Sequence, residues 1–280
     1  MKKILFLLVA FVFFGSFCLG SAMAFTSEDL AKASALEEIM KRGHLLVGLE
    51  AGYQPFEMQD EKGNIVGFDV DIAYEMGKAI FGKGGEKKVK LINTAWEGII
   101  PSLMTHKFDI IMSGMTARQD RNLKVNFCDP VYYIGQCLLI NKKNKGKYKS
   151  YKDLNKKGVI VASKLGTTGA FTIDKLMPNA TPRLFKTEAE AALQVANGIA
   201  DAFVYDEPQV RVNAAKYKKT TFGIYEPLTY EPLAWAIRKG DPDFLNWLNN
   251  FLRQLRGDGR WDQLKQKWFV DYVEEMSKKQ

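Results

Sequence analysis

The sequence predicts an α/β fold of two lobes, each a mostly parallel sheet flanked by helices, with two hinge crossings between the lobes. Apolar strand patterns alternate with amphipathic helix patterns, which is typical of parallel sheets covered by helices on both faces. This alternation starts a second time near Val131. The chain then ends with one more strand and two helices. This strand and these helices must pack on a sheet, and the sheet of the first unit is the better candidate.

Length and composition support a folded chain of this kind. The protein has 280 residues, of which 46% are hydrophobic and 26% are charged, which excludes disorder and a small disulfide scaffold. The net charge is +8, but much of it lies in Lys/Gly segments at 83–90 and 142–152 that are typical of solvated loops. A nucleic-acid groove would interleave arginine and aromatic residues, so we expect no nucleic-acid partner.

Residues 1–24 have the pattern of a secretory signal peptide. A basic start at Lys2 and Lys3 precedes an apolar stretch over 4–19, and the small-residue site Ala22-Met23-Ala24 follows it. The alternative is a membrane anchor, but the stretch is shorter than the roughly 20 residues that a span needs. We therefore expect cleavage after Ala24 and export of the mature chain.

The first unit supplies most of the predicted elements of lobe 1. Its first helix is predicted over 26–42, with Thr26 and Asp29 as a capping box and Gly43 as its end. The following elements are predicted in order: a strand over Leu45–Leu49, a hairpin around Lys62-Gly63-Asn64, a helix over Phe68–Phe81, a strand over Val89–Asn93, a helix over 96–106 and a strand over 108–113.

The second unit and the C-terminal pieces are predicted in the same way. The helix over 186–197 has Thr187 and Glu190 as a capping box and Gly198 as its end. The others are an extended segment over 131–140, a strand over 159–162, a helix over 166–176, strands over 202–205 and 233–238, and two helices marked by apolar residues over 244–255 and 261–268.

These elements predict a domain organisation in which lobe 1 is discontinuous. Residues 25–131 and 230–280 form lobe 1, and residues 132–229 form lobe 2, including the hinge strands. The chain crosses between the lobes near 132–136 and near 225–231. Two extended crossings make a hinge, because few backbone angles must change for one lobe to rotate.

Cysteine, histidine and motif content exclude several classes of site. Cys128 and Cys137 lie in apolar runs that read as strands; export permits a disulfide, but buried free thiols are common, and both readings stay open. His44 and His106 have no ligand cluster around them, so we expect no metal. G-x-S-x-G, H-E-x-x-H and nucleotide-binding glycine motifs are absent, so we expect no cofactor and no enzyme activity.

The chain does place polar side chains just after the ends of its predicted strands, where open α/β sheets bind ligands. These candidate binding residues are Glu50, Tyr53, Trp96, Ser113, Gly114, Thr116, Arg121, Lys164, Thr167, Thr168, Tyr205 and Asp206.

Three of these features fit the two poles of a free α-amino acid. Arg121 offers a planar fork for a carboxylate, although a surface ion pair is the common alternative and Arg118 is a competing candidate. The N–H groups at 167–169 open a helix and form an anion site. Asp206 can hold an ammonium group, or it can simply cap the helix that follows. Tyr53 and Trp96 are either a slot for the ligand or part of the core.

Six segments occur in the order that one known family shows: EAGYQPFE over 50–57, GFDVDI over 67–72, WEGIIPSL over 96–103, FDIIMSGMTARQDR over 108–121, KLGTTG over 164–169 and ADAFVYD over 200–206. The chain thereby resembles the polar amino-acid-binding proteins of bacterial ABC importers from about 37 to 269, most closely their glutamine-binding branch. The resemblance implies a type II periplasmic fold that closes like a clamshell, a free amino acid as ligand and permease subunits as partners. We expect a monomer.

The resemblance also implies roles for the candidate residues. Arg121 and the N–H groups of Thr116 and Thr168 would hold the α-carboxylate. Asp206, the Ser113 carbonyl and the Thr116 hydroxyl would hold the α-ammonium. The aromatic pair Tyr53 and Trp96 would enclose the side-chain stem. The far end of the ligand would be read by Glu50, Lys164 and Tyr205.

Two departures from the family pattern bear on the ligand. The glutamine-binding branch usually has aspartate at Glu50 and often histidine at Tyr205. Because Lys164 would repel a cationic side chain, lysine and arginine are disfavoured and glutamine is the first choice. Two alternatives remain: an exported cyclohexadienyl or arogenate dehydratase-like enzyme, which would use Glu50 or Lys164 as general acid, and a soluble amino-acid sensor for a chemoreceptor.

Overall fold

The computed structural model describes residues 34–279. The signal peptide and the capping box at Thr26 and Asp29 therefore lie outside the described residues. Within the described part of the chain, no helix combines the length and apolar character needed to cross a membrane.

The first part of the chain forms lobe 1, which we define as the part built on the first sheet. Its first helix begins after Ser34, whose hydroxyl accepts a hydrogen bond from the N–H of Leu36, and ends at Gly43, where φ is +78°. The elements are α1 Ala35–Arg42, β1 Leu45–Leu49, β2 Met58–Gln59, β3 Ile65–Val66, α2 Phe68–Phe81, β4 Val89–Asn93, α3 Trp96–Met104, β5 Ile110–Ile111, α4 Gln119–Asn122 and β6 Asn126–Phe127.

The middle of the chain forms a hinge strand and then lobe 2, which is built on the second sheet. The elements are β7 Tyr132–Ile134, β8 Gln136–Asn141, α5 Tyr151–Leu154, β9 Ile160–Lys164, α6 Thr168–Leu176, β10 Thr181–Phe185, α7 Glu188–Ala196, β11 Ala202–Asp206, α8 Glu207–Lys216 and β12 Thr221–Ile224. The Thr187 hydroxyl and the Glu190 carboxylate form the predicted capping box at the start of α7.

The last part of the chain returns to lobe 1, and its final helix also packs against α8 of lobe 2. Its elements are β13 Glu231–Leu233, β14 Ala236–Ile237, α9 Pro242–Gly257, α10 Arg260–Lys265, a π-helical turn over Gln266–Asp271 and α11 Tyr272–Lys278. Phe269 packs against Phe56, Phe68 and Tyr132 with ring centroids 4.7 to 5.1 Å apart. This aromatic cluster joins the C-terminal helices to lobe 1 and to the hinge.

Both five-stranded sheets are mostly parallel, as predicted. The first has the order β4-β1-β5-β14-β6 and the second the order β10-β9-β11-β8-β12. In the first sheet only β14 runs against the other strands, and in the second only β8 does. Each of these two strands is the one by which the chain enters its sheet after a crossing.

The two crossings pair with each other. Strands β7 and β13 form an antiparallel ribbon in which Tyr132 lies opposite Leu233 and Ile134 lies opposite Glu231. The single extended segment predicted over 131–140 is in fact two strands, broken at Gly135. A Cβ atom at Gly135 would overlap the carbonyl oxygen of Thr229, so the close approach of the two hinge segments requires glycine.

Three strands were absent from the prediction, and several others are shorter than predicted. Strand β10 is an edge strand with mostly exposed side chains and a proline, so it lacks an apolar run. Strands β6 and β12 are short and only half buried along most of their length. The predicted strand over 108–113 is reduced to β5, and that over 233–238 is divided between β13 and β14.

Candidate functional site

The twelve candidate residues line one cavity between the lobes. Lobe 1 contributes Glu50, Tyr53, Trp96, Ser113, Gly114, Thr116 and Arg121, and lobe 2 contributes Lys164, Thr167, Thr168, Tyr205 and Asp206. Most follow the carboxyl ends of β1, β4, β5, β9 and β11, where a parallel sheet exposes its loops. The cavity is narrow, about 20 Å³, or roughly the space of one water molecule. For a ligand as large as an amino acid to fit, some of the side-chain contacts between the lobes must therefore rearrange.

Arg121 forms the cationic end of the cavity. Its guanidinium is buried, donates a hydrogen bond of 3.0 Å to the carbonyl of Thr116, and lies 5.1 Å from the ring centroid of Trp96. Among the described residues no carboxylate lies within ion-pair distance of Arg121. Burial, with a smaller contribution from Arg118, lowers its pKa to about 10. The Arg121 guanidinium thus has N–H donors left for a ligand and is not part of a surface ion pair.

The N-terminus of α6 faces the same cavity from lobe 2. Thr167 occupies the N-cap position, but its side chain does not cap the helix and instead donates a hydrogen bond of 2.7 Å to the carbonyl of Lys164. Within residues 34–279, no side chain caps the N–H groups of this first turn. Together with Arg121, this turn suits an anionic group.

Asp206 forms the anionic end of the cavity. Its carboxylate accepts hydrogen bonds from the Tyr53 hydroxyl and the Gln136 amide. It makes no side-chain cap on α8, so the plain capping role considered from the sequence is not what the structure contains. Burial, followed by the negative charge of Glu231, raises the pKa of Asp206 to about 7. A positively charged group next to Asp206 would lower this pKa again.

The far end of the cavity holds a cation between two carboxylates. Lys164 is buried and forms an ion pair with Glu50 across the lobes and a second one, 3.2 Å long, with Glu188 of its own lobe. Burial lowers the pKa of Lys164, but the attraction of Glu188 and Glu50 outweighs it and the net shift is upward. The pKa of Glu50 is raised, because burial outweighs the attraction of Lys164.

The aromatic residues bridge the lobes and fill the cavity wall. Tyr53 stacks on Phe56 with ring centroids 4.8 Å apart. The indole N–H of Trp96, in lobe 1, donates a hydrogen bond of 3.1 Å to the carbonyl of Gly166 in lobe 2. Gly114 has φ of +48°, and a Cβ there would overlap the Tyr53 ring. Glycine at this position therefore makes room for the Tyr53 ring.

Several buried polar residues behind the cavity wall were not identified from the sequence. The Ser113 hydroxyl donates to Glu57 at 2.7 Å, and the Thr116 hydroxyl donates to Glu231 at 2.8 Å. Asp69 accepts a hydrogen bond from the N–H of Gly114, while Gln136 and Glu188 contact Asp206 and Lys164 respectively. Gln136 could have been identified from the sequence, because it is a polar residue at the start of an apolar strand. Glu188 could not, because an acidic residue in the first turn of a helix is common in any case.

Cys128 and Cys137 are free and buried. Burial raises the pKa of Cys128 and of Cys137 to about 12, so both are poor nucleophiles. Across residues 34–279 there is no group of three His, Cys, Asp or Glu side chains arranged to hold a metal ion.

Two lobes on a two-stranded hinge, with a cavity of opposite charges between them, define a protein of the two-lobed solute-binding class. Residues 45–271 match the model of the family described as "Bacterial extracellular solute-binding proteins, family 3". The chain belongs to this family.

Three relatives illustrate the ligands found near this sequence. A glutamine-binding protein of Geobacillus stearothermophilus is 34% identical over 71% of this chain and 78% of its own length. A binding component of an ABC transporter from Wolinella succinogenes, complexed with lysine, is 51% identical, with a TM-score of 0.78, over 82% of this chain and 97% of that one. An ancestral amino-acid-binding protein is 47% identical over 84% of this chain and 100% of its own, with TM-scores of 0.78 and 0.71 in two structures.

Proposed function

We propose that the protein captures a free cationic L-amino acid, lysine or arginine, by closing its lobes, and delivers it to the permease of an ABC importer. Arg121 and the first turn of α6 would bind the α-carboxylate. Asp206 would bind the α-ammonium. Because these groups belong to different lobes, both reach one ligand only when the lobes are closed, so binding favours the closed form.

The observation that carries the side-chain assignment is the charge balance around Lys164. Lys164 would repel a cationic ligand if it were an unpaired positive charge. Lys164 is instead paired with Glu50 and Glu188, which makes one cation against two carboxylates. An excess of negative charge in a buried site favours a cationic side chain. Relatives described as lysine-bound and as binding cationic amino acids, at 51% and 47% identity, support the same class.

Glutamine is the second candidate. A neutral amide can accept a hydrogen bond from Lys164 and donate one to Glu50, without displacing either from the other. The similarity to a glutamine-binding protein favours it. The two candidates differ in one respect. Glutamine leaves the Lys164–Glu50 ion pair largely in place, whereas lysine or arginine must replace Lys164 as the ion-pair partner of Glu50.

An enzyme on the same scaffold is a third possibility, since the ancestral relative is described as a precursor of cyclohexadienyl dehydratase. Such a site needs a general acid, and the raised pKa of Glu50 suits that role. The family is one of solute-binding proteins, which favours binding without turnover. Incubation with prephenate or arogenate should therefore leave the absorbance of both compounds unchanged.

The periplasmic location is part of the proposal. The basic, apolar and small-residue pattern of residues 1–24 and the extracellular family support export and cleavage after Ala24. N-terminal sequencing of the protein recovered from a periplasmic extract tests this, and a chain that still begins at Met1 would contradict it.

Calorimetry of refolded, ligand-free protein against the twenty amino acids tests the proposed ligand. We expect lysine or arginine to bind with a free energy of roughly −8 to −10 kcal/mol, and glutamine about tenfold more weakly. Tighter binding of glutamine would move the assignment to the second candidate. Binding of no amino acid at all would contradict the proposed function.

A further inference from the structure

Glu188 is a buried carboxylate that does not line the cavity but stands directly behind Lys164. It begins α7 and is 2% exposed. Its Oε2 lies 3.2 Å from the Lys164 ammonium, while its Oε1 has no hydrogen-bond partner among the described residues. A buried carboxylate oxygen without a donor is unfavourable. The Glu188 carboxylate can therefore accept a further hydrogen bond from an ammonium group.

Lys164 is a cation tethered inside the cavity. It extends from the end of β9 in lobe 2 to Glu50 in lobe 1. Any ligand with a cationic side chain must compete with this ammonium for Glu50. Lys164 can release Glu50 without being left as an unpaired buried charge only if another acceptor is at hand.

Glu188 meets that requirement. It belongs to the same lobe as Lys164, so the pair does not depend on lobe closure. The carboxylate also lies against Gly52 of lobe 1, where a Cβ atom would be 3.3 Å from Oε1. The missing side chain at Gly52 leaves room for the carboxylate beside the cavity.

Resting on the proposed function, we propose that Glu188 is the positioning residue that sets the charge preference of the site. When a cationic ligand takes over Glu50, Lys164 stays with Glu188 and uses its free oxygen. Without the negative charge of Glu188, Lys164 keeps Glu50 as its only counter-ion and repels a cationic side chain. A neutral amide is affected little, because it binds between Lys164 and Glu50 as they stand.

The variant Glu188→Gln tests this by calorimetry with lysine and with glutamine. We expect lysine binding to weaken at least tenfold and glutamine binding to change by less than threefold. Asp174→Asn is the matched control, because Asp174 is an exposed carboxylate of the same lobe, and it should leave both affinities unchanged. A lysine-to-glutamine affinity ratio that stays at the wild-type value in Glu188→Gln overturns the inference.

Removing Lys164 separates the charge effect from a merely structural one. The double variant Lys164→Met with Glu188→Gln should regain the wild-type preference for lysine, because Glu50 is then free of competition. Lys164→Met alone should bind lysine at least as tightly as the wild type. Thermal unfolding shows whether Glu188→Gln is folded. If it is not, Lys164→Met still tests the inference, because weaker lysine binding in that variant overturns it. Wild-type protein that binds no amino acid contradicts the proposed function instead.

Discussion

At the residue scale, the two charged side chains that would hold an amino acid are both buried and both carry an incomplete set of partners. In the described part of the chain, Arg121 has N–H donors that are not used, and Asp206 accepts hydrogen bonds only from the neutral side chains of Tyr53 and Gln136. A buried charge without a counter-ion destabilises a closed protein. A bound amino acid would supply the missing counter-ion to both Arg121 and Asp206. Ligand binding would therefore stabilise the closed form.

Arg121→Ala tests the carboxylate end. Truncating one partner of a buried charge pair costs about 2–5 kcal/mol, so we expect binding to weaken by at least about thirtyfold. The melting temperature should stay within a few degrees of the wild-type value, because Arg121 forms no ion pair that the ligand-free fold would lose. Arg121→Lys keeps the charge but not the planar fork, and we expect it to recover only part of the affinity. Wild-type affinity in Arg121→Ala would show that the carboxylate lies elsewhere.

The raised pKa of Asp206 predicts a pH dependence of binding. With a pKa of about 7, Asp206 is ionised above neutral pH and becomes protonated below it, so a proton competes with the ligand ammonium as the pH falls. We expect the dissociation constant to rise about five- to tenfold between pH 7.5 and 6. Calorimetry in buffers of different ionisation enthalpy should show that binding at pH 6 releases close to one proton.

Glu231→Gln is the matched variant for this profile. Glu231 is the second cause of the raised pKa of Asp206, after burial. Removing its charge should move the fall in affinity to lower pH without changing the affinity at pH 8. A profile that stays in place would show that Asp206 does not control it.

Much of the site could be predicted from the sequence, because strand ends are visible in it and a parallel sheet gathers them at one edge. Twelve candidates chosen in this way line one cavity. What could not be predicted is which charges neutralise each other. Lys164 lies more than twenty positions from Glu188 and more than a hundred from Glu50, and nothing in the local pattern shows that both contact it.

At the element scale, strand β1, helix α2 and strand β4 were predicted to the residue, and most other helices with strong apolar periodicity were predicted with bounds that differ by about two residues. The errors fall on elements whose existence depends on a neighbour. Strand β10 is held by pairing with β9 rather than by burial of its own side chains. The break at Gly135 depends on Thr229, which approaches it from the other crossing.

Gly135→Ala tests this break. The added methyl group would overlap the Thr229 carbonyl, and overpacking of this kind costs about 1–3 kcal/mol. We expect the free energy of unfolding in urea to fall by that amount. Gly257→Ala is the control, because no atom lies within 4 Å of a Cβ there and alanine is favoured over glycine in a helix. Equal stability of the two variants would contradict the proposed steric role of Gly135.

At the scale of the whole molecule, side-chain contacts join the lobes in and around the cavity. Cavity residues make several of them, including Lys164 with Glu50, Tyr53 with Asp206, and Trp96 with the Gly166 carbonyl. Another lies outside the cavity, where the Arg118 guanidinium of lobe 1 stacks 4.3 Å from the centroid of the Phe171 ring of lobe 2. This contact can be removed without changing a surface that a ligand would touch.

Phe171→Ala therefore separates closure from recognition. A partly exposed cation–π contact is worth about 0.5–1 kcal/mol, so its loss should weaken lysine and glutamine binding by the same factor, about two- to fivefold. The effect should appear as faster dissociation, since the contact forms only when the lobes meet. Leu193→Ala, which also removes an exposed apolar side chain from lobe 2, should leave both affinities unchanged. A change in the ratio of the two affinities in Phe171→Ala would mean that Phe171 takes part in recognition, and an unchanged affinity would mean that the Arg118–Phe171 contact does not stabilise the closed form.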